Sequence, residues 1–141
     1  MTQACIAALI ISIATQIGGV PPYFVLAIAL EEHGGHIRTE AVSPPNRNGT
    51  VDLGTMQLNS RYFGHIDWRC PEVNITAGVK HIKWLISQLN TFWLVSVAYN
   101  CGLNRLREGN PPRASLDYAD RVMARWKELD PQGFMVTTGR R

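Results

Sequence analysis

The spacing of apolar residues along the chain predicts a mostly helical protein. The clearest periodicity lies in the middle, where five apolar residues recur at steps of three and four: Ile75, Val79, Ile82, Ile86 and Leu89. That spacing places them along one face of a helix. An apolar run predicts a first helix from about Gln3 to Ile17, which two glycines end. This run is too short to span a bilayer and no Lys or Arg precedes it, so we interpret it as a buried helix and not as a signal peptide.

Capping and turn residues predict two further helical segments. A second helix begins at the Pro21-Pro22 pair, because proline suits a first helical turn. It ends at about His33, where two glycines follow. A short turn of helix is predicted from about Asn59 to Phe63.

The C-terminal third carries one ambiguous segment and one clear helix. Residues 91–99 form a short apolar run with β-branched and aromatic side chains, which on propensity alone allows a buried strand as well as a helix. A last helix is predicted over residues 115–129, with Ser115 as its N-cap. The polar tail from Asp130 is expected to fray. The apolar stripe of the last helix is Tyr118, Val122, Met123, Trp126 and Leu129.

Composition and charge bound the class of protein. The chain has 141 residues, 45% hydrophobic and 18% charged, so we expect one folded domain over residues 1–141. The net charge of +3 is uneven: residues 1–70 carry −1 (four Arg against five acids) and residues 71–141 carry +4. This excess is small, and no dense Lys/Arg run holds interleaved aromatics. We therefore interpret it as a solvated face and expect no nucleic-acid partner.

The three cysteines cannot form a complete disulfide framework, because their number is odd. Either Cys5 bridges to Cys70, or all three thiols, including Cys101, are free. His33 and His36 are three residues apart, but no further His or Cys set completes a zinc site with them. We expect neither a metal nor another cofactor.

Three carboxylates are candidates for chemistry. Glu31 and Glu32 are adjacent near the end of the second predicted helix, so they point about 100° apart and one can face a cleft while the other faces water or a basic partner. A carboxyl in an apolar pocket has a raised pKa and can protonate a glycosidic oxygen. The apolar residues nearby do not decide which glutamate does so. Asp52 is interpreted as a structural acid that bonds backbone amides of its loop, although a second carboxylate could also hold a hydrolytic water.

Three motifs, in this order, resemble those of a known family. Residues 32–35 read Glu-His-Gly-Gly, residues 54–59 read Gly-Thr-Met-Gln-Leu-Asn and residues 98–102 read Ala-Tyr-Asn-Cys-Gly. They resemble Glu-Ser-Gly-Gly, Gly-Leu-Met-Gln-Ile-Asn and Ala-Tyr-Asn-Ala-Gly of the lytic transglycosylases with a goose-type-lysozyme-like fold, the family of the soluble lytic transglycosylase catalytic domain. The resemblance covers residues 20–105.

The resemblance implies an all-α, lysozyme-like helical domain with a substrate cleft, in which residues 91–99 are helical. It selects Glu32 over Glu31, because the catalytic glutamate precedes one small residue and two glycines. Glu32 would protonate the β-1,4 glycosidic oxygen between N-acetylmuramic acid and N-acetylglucosamine. It would then act as the base on the muramyl 6-hydroxyl, which closes to a 1,6-anhydro product.

Six further residues are implied to bind substrate or support the cleft: Gln57, Asn59, Tyr99, Met56, Asn100 and Ser43. Gln57 and Asn59 would bond sugar or N-acetyl groups, with Met56 packed beneath them. The Tyr99 hydroxyl would position the Glu32 carboxyl or the substrate, and Asn100 would support its loop.

The implied partner is the glycan strand of peptidoglycan, and we expect a monomer. Residues 48, 49 and 52 resemble the specialised transglycosylases of secretion and conjugation machines, so we expect a periplasmic, cell-envelope or phage-associated protein. His33 departs from the family, which has serine there, and a titrating imidazole could shift the Glu32 pKa. Three alternatives stay open: a muramidase that uses the same Glu32, a non-catalytic peptidoglycan-binding module, and a basic helical module that binds nucleic acid.

Overall fold

In a computed structural model, which describes residues 1–139, most of the chain is helical. This confirms the all-α class. Two strands of two residues each pair antiparallel as a small hairpin. The elements of the described residues follow in chain order: α1 (Gln3–Ile17), α2 (Pro22–Glu32), β1 (Asp52–Leu53), β2 (Leu58–Asn59), α3 (Ser60–Phe63), α4 (Pro71–Gln88), α5 (Phe92–Cys101), α6 (Leu103–Arg107), α7 (Arg113–Leu129) and α8 (Pro131–Thr138).

Helix α2 is the centre of the core. It packs against α1 on one side and α7 on the other, and its six residues 24–29 are all buried. The ring of Phe24 lies 5.2 Å from that of Phe92 on α5 and 5.1 Å from that of Trp126 on α7. Because α2 is enclosed, the position of its last residue, Glu32, is fixed by the core.

The first helix has the predicted bounds but buries one face only. The Thr2 hydroxyl accepts a hydrogen bond from the backbone N–H of Cys5 and caps the helix. Ile6, Ile10 and Ala14 are buried, at steps of four residues, whereas Cys5 is exposed. All three cysteines are free thiols, so the bridge between Cys5 and Cys70 is not formed. In the described part of the chain, no helix is long and apolar enough to cross a membrane.

In the middle of the chain, one prediction needs correction and one is confirmed. In α4, Ile75, Val79 and Ile82 are buried as predicted, but the next buried residue is Leu85, while Ile86 is half-buried and Leu89 lies beyond the helix. Residues 92–99 belong to helix α5, as the family resemblance implies, and not to the strand that propensity alone allows. The Thr91 hydroxyl accepts from the N–H of Leu94 and so caps α5, which offsets the strand preference of its side chains.

The C-terminal elements also differ from the expectation. Helix α7 starts two residues before Ser115, which is buried inside it and donates a hydrogen bond to the Asn100 side chain instead of capping. Its stripe is buried at residues 118, 122 and 126, but Met123 is half-buried and Leu129 is exposed. The tail is not frayed over residues 131–138, because the Asp130 side chain caps α8 and Phe134 packs on Trp126. The tail residues 140–141 lie outside the described residues.

Candidate active site

A cavity of about 710 Å³ opens where the end of α2 meets the β1–β2 hairpin. The remaining walls come from α3, one face of α4, and the junction of α5 with α6. Glu32 lines this cavity and Glu31 does not. The helix ends at Glu32 because Gly34 and Gly35 both adopt positive φ, which a side chain rarely allows, and turn the chain away.

Glu32 is held as an acid. Its Oε2 accepts a hydrogen bond of 2.6 Å from the hydroxyl of Tyr118 on α7. Burial raises the pKa of Glu32 to about 8, and the negative charges of Asp52 and Glu31 add to the rise, while the Tyr118 hydrogen bond opposes it. At neutral pH the carboxyl is therefore mostly protonated and can donate its proton into the cavity.

The adjacent Glu31 has the opposite environment. Its side chain is only 7% exposed, and its two oxygens accept hydrogen bonds of 2.5 Å from Arg121 and 2.7 Å from Arg125, both on α7. A carboxylate between two guanidiniums is stabilised in its charged form. Glu31 thus attaches α2 to α7, and Glu32 is the glutamate that faces the cleft.

Asp52 also lines the cavity. Its Oδ1 accepts two long hydrogen bonds, each of 3.4 Å, from the side-chain amides of Asn46 and Asn59. The prediction that it bonds backbone amides is therefore wrong. Ser43 does not line the cavity, and its Oγ accepts from the backbone N–H of Asp52 at 2.8 Å. Ser43 positions the strand and does not face the cavity.

Gln57 and Asn59 line the cavity, with amides that are already engaged. Gln57 adopts φ +51°, and its Nε2 donates to the carbonyls of Ala41 (3.1 Å) and Gly54 (3.0 Å). The Asn59 amide donates to Thr50, and its oxygen caps α3. Both side chains form part of the cleft wall. Only the donor and acceptor positions that these hydrogen bonds leave unused can contact a ligand in the cavity.

Met56 and Tyr99 form a buried support below the cleft. Met56 is fully buried and packs so closely on α4 that a Cβ at Gly78 would lie 2.6 Å from its Cγ. The Tyr99 hydroxyl donates to the Met56 carbonyl at 2.5 Å, and so it does not bond Glu32, although the Tyr99 ring lines the cavity. Asn100 lines the cavity too, where its oxygen accepts from Ser115 at 2.7 Å.

A comparison of the sequence with protein-family models shows the family of this chain. The model of the transglycosylase SLT domain matches residues 10–120, more than three quarters of the chain. The chain belongs to the SLT domain family. The family consists of lytic-transglycosylase-type domains that cleave peptidoglycan, and its lysozyme-like helical fold is the one seen here. No curated protein matches the chain.

In this SLT domain, His33 has a structural position. Its Nε2–H donates to the carbonyl of Thr55 at 2.9 Å, which leaves Nδ1 to accept from the N–H of Arg38 at 3.4 Å. Burial lowers the pKa of His33, so the imidazole is neutral. The ring does not line the cavity. It joins the end of α2 to the second motif.

Three side chains of the site were missing from the sequence-based prediction. Tyr118 was assigned to an apolar stripe, and only its polar hydroxyl could have suggested that a buried partner exists. His81 and Trp84 line the cavity from α4 but lie outside all three motifs. The periodicity of α4 predicts only that His81 and Trp84 lie off its buried stripe. It does not predict whether they face a cleft or bulk solvent. In the described residues, no group of His, Cys, Asp and Glu is arranged to hold a metal ion.

Proposed function

We propose that this SLT domain is a lytic transglycosylase that cleaves the β-1,4 bond between N-acetylmuramic acid and N-acetylglucosamine and leaves a 1,6-anhydromuramic end. One observation carries the proposal. Glu32 combines a pKa of about 8 with a position in a cleft of about 710 Å³, in a family whose substrate is peptidoglycan. A protonated carboxyl of this kind is what cleavage of a glycosidic bond needs.

The same carboxyl serves both steps. In the first, Glu32 gives its proton to the glycosidic oxygen, the bond to C1 of the muramyl ring breaks, and N-acetylglucosamine leaves as an alcohol. In the second, the Glu32 carboxylate takes the proton of the muramyl 6-hydroxyl, whose oxygen bonds to C1. Because Tyr118 donates a hydrogen bond to Oε2, Oε1 is the oxygen that we propose for both proton transfers. Because the nucleophile belongs to the substrate, the attack is intramolecular and no second acid is required.

Asp52 supports a second candidate function, muramidase hydrolysis. It lines the same cavity, and its charge is one of the causes that raise the Glu32 pKa. Both of its long hydrogen bonds end on Oδ1, so Oδ2 is the oxygen that would hold a water for attack at C1. In that reaction, Glu32 keeps its role as the acid and the product is a reducing muramic end.

Mass spectrometry of digested peptidoglycan separates these reactions. The wild-type protein is expected to release muropeptides one water lighter than hydrolysed ones, with no reducible muramic end. Glu32→Gln is expected to abolish release, and Asp52→Asn to retain anhydro products. Reducible ends that disappear in Asp52→Asn would replace the proposal with hydrolysis. Activity that survives in Glu32→Gln would contradict both, and a folded wild-type protein that binds but releases nothing would leave a binding module.

The substrate also bears on location and partners. Peptidoglycan lies in the cell envelope, so we propose that the protein acts there, in the periplasm, within a secretion or conjugation machine, or on a phage particle. We also propose that the protein acts as a monomer. Binding to DNA with a steep salt dependence and indifference to Glu32→Gln would contradict the glycan assignment.

A further inference from the structure

A group of aromatic side chains borders the cleft on the side of α3 and α4. We call Tyr62, His81 and Trp84 the aromatic shelf; all three line the cavity that holds Glu32. Tyr62 is 63% exposed and Trp84 is 49% exposed. Within residues 1–139, these two are the exposed large aromatic residues. Both of them therefore lie in the same cleft, and an exposed apolar patch in a groove is a common feature of binding sites.

The shelf is held in place by stacked rings. The His81 ring stacks on Trp84 with 5.9 Å between centroids and 21° between planes. It also contacts the ring of Tyr99 at 5.7 Å and the ring of Phe63 at 5.9 Å. Burial lowers the pKa of His81, so it stacks as a neutral ring. Trp84 is thus preorganised at the end of a series of rings that begins at Tyr99 on the cleft floor.

We propose that the aromatic shelf is a sugar-binding subsite, in which Trp84 stacks on the apolar face of a hexosamine ring in the same glycan strand that Glu32 cleaves. This inference rests on the proposed function, since it names a binding contact of that cleft. A pyranose ring has one C–H face that lacks hydroxyls, and a flat exposed indole matches it in size while its N–H can bond to a sugar oxygen.

Two features favour a sugar over a peptide or a protein as the occupant. The shelf is continuous with the cavity of Glu32, whose family substrate is a glycan strand. The cleft around the shelf also carries polar side chains suited to hydroxyl and N-acetyl groups, namely Arg61, Asn104 and Arg105. One face of Tyr62 already has the Arg61 guanidinium at 5.6 Å. Trp84 is therefore the main stacking residue and Tyr62 the flanking one.

Calorimetric titration with N-acetylglucosamine oligomers of four to six units tests the proposal. The titration uses Glu32→Gln protein, so that no cleavage occurs. Adding Trp84→Ala to this background is expected to weaken binding about tenfold, the size of effect typical when a central aromatic is truncated. Trp84→Phe, which keeps a ring, should stay within about threefold of the parent. Val73→Ala is the matched control, because Val73 is exposed on the same helix and does not line the cleft; it should leave binding unchanged.

Several outcomes would overturn the subsite. One is an oligomer affinity that Trp84→Ala changes by less than twofold. A second is the absence of any oligomer binding by the folded Glu32→Gln protein. A third is selective binding of free stem peptide that Trp84→Ala abolishes. Since Trp84 is half exposed, its truncation opens no buried cavity, and circular dichroism checks the fold. Failure of the proposed function has a different signature. In that case the wild-type protein releases no muropeptides, while oligomers still bind in a Trp84-dependent manner.

Discussion

Replacing Glu32 by glutamine is expected to make the protein more stable, by an amount that grows with pH. The folded protein keeps the Glu32 proton up to about pH 8, whereas the unfolded chain loses it near 4.5. Between these pH values the folded state binds more protons than the unfolded state, so the free energy of unfolding falls as pH rises. Glutamine does not titrate and can still accept the Tyr118 hydrogen bond. The variant therefore avoids the loss.

The size of the effect follows from the pKa of Glu32. One pKa unit corresponds to about 1.4 kcal/mol, so the rise from 4.5 to about 8 sets an upper limit of about 5 kcal/mol above pH 8. Glu32 is only half-buried and borders an open cleft, where water screens part of this energy. We expect a gain of roughly 2 kcal/mol at pH 8, about 6 °C in Tm for a domain of this size, and almost none at pH 4.5.

Urea unfolding at pH 4.5, 6 and 8 measures this difference, because other titrating groups contribute equally to both proteins. Glu31→Gln provides a matched control with the same chemical change one residue earlier. It leaves Arg121 and Arg125 without their carboxylate, so it should be less stable than the wild-type protein. A Glu32→Gln gain that is the same at all three pH values, or a loss at pH 8, would refute a desolvated acid at this position.

Three further predictions concern the supports of the site. Tyr118→Phe removes the hydrogen bond that lowers the Glu32 pKa, so the alkaline limb of the pH–rate profile should move to higher pH and kcat should fall; an unshifted limb would argue against this contact. Gly78→Ala places a Cβ 2.6 Å from Met56 Cγ, and thermal unfolding should show a loss of about 1–3 kcal/mol. Thr55→Val should gain about 1 kcal/mol, since the buried Thr55 hydroxyl has no hydrogen-bond partner among the described residues; unchanged urea midpoints would contradict it.

The elements that could be predicted from sequence are those with a local signal. Helix α1 ends at a glycine pair and α2 begins at prolines, so their limits follow from capping chemistry. Residues 91–99 could not be assigned from periodicity, because a short apolar run shows the same pattern in a buried helix as in a buried strand. Helix α8 was missed for another reason. Its stability comes from Phe134 packing on Trp126, a tertiary contact that a polar tail does not reveal.

The site could be predicted at the positions that the family motifs cover, and the prediction was incomplete elsewhere. The motifs identified the residues that line the cleft at positions 32, 57, 59, 99 and 100. They did not reveal that the Tyr99 hydroxyl bonds Met56, while Tyr118 bonds Glu32. Both tyrosines are buried aromatics with one polar atom, and which acceptor each hydroxyl reaches depends on helix packing. Sequence spacing cannot predict the hydrogen bond between Tyr118 and Glu32, because these residues are 86 positions apart.

The contrast between Glu31 and Glu32 shows how helix α7 creates an acid in the cleft. Tyr118, Arg121 and Arg125 follow at steps of three and four, so they share one face of α7, the face that meets the end of α2. The arginines bind Glu31 and compensate its charge, which is the smallest of the causes that raise the Glu32 pKa. Burial is the largest cause of the rise, the charge of Asp52 adds more to it than that of Glu31, and the Tyr118 hydrogen bond limits it. A helix beyond the three motifs thus pairs Glu31 with two arginines, and Glu32, whose pKa is raised, is the carboxyl that faces the cleft.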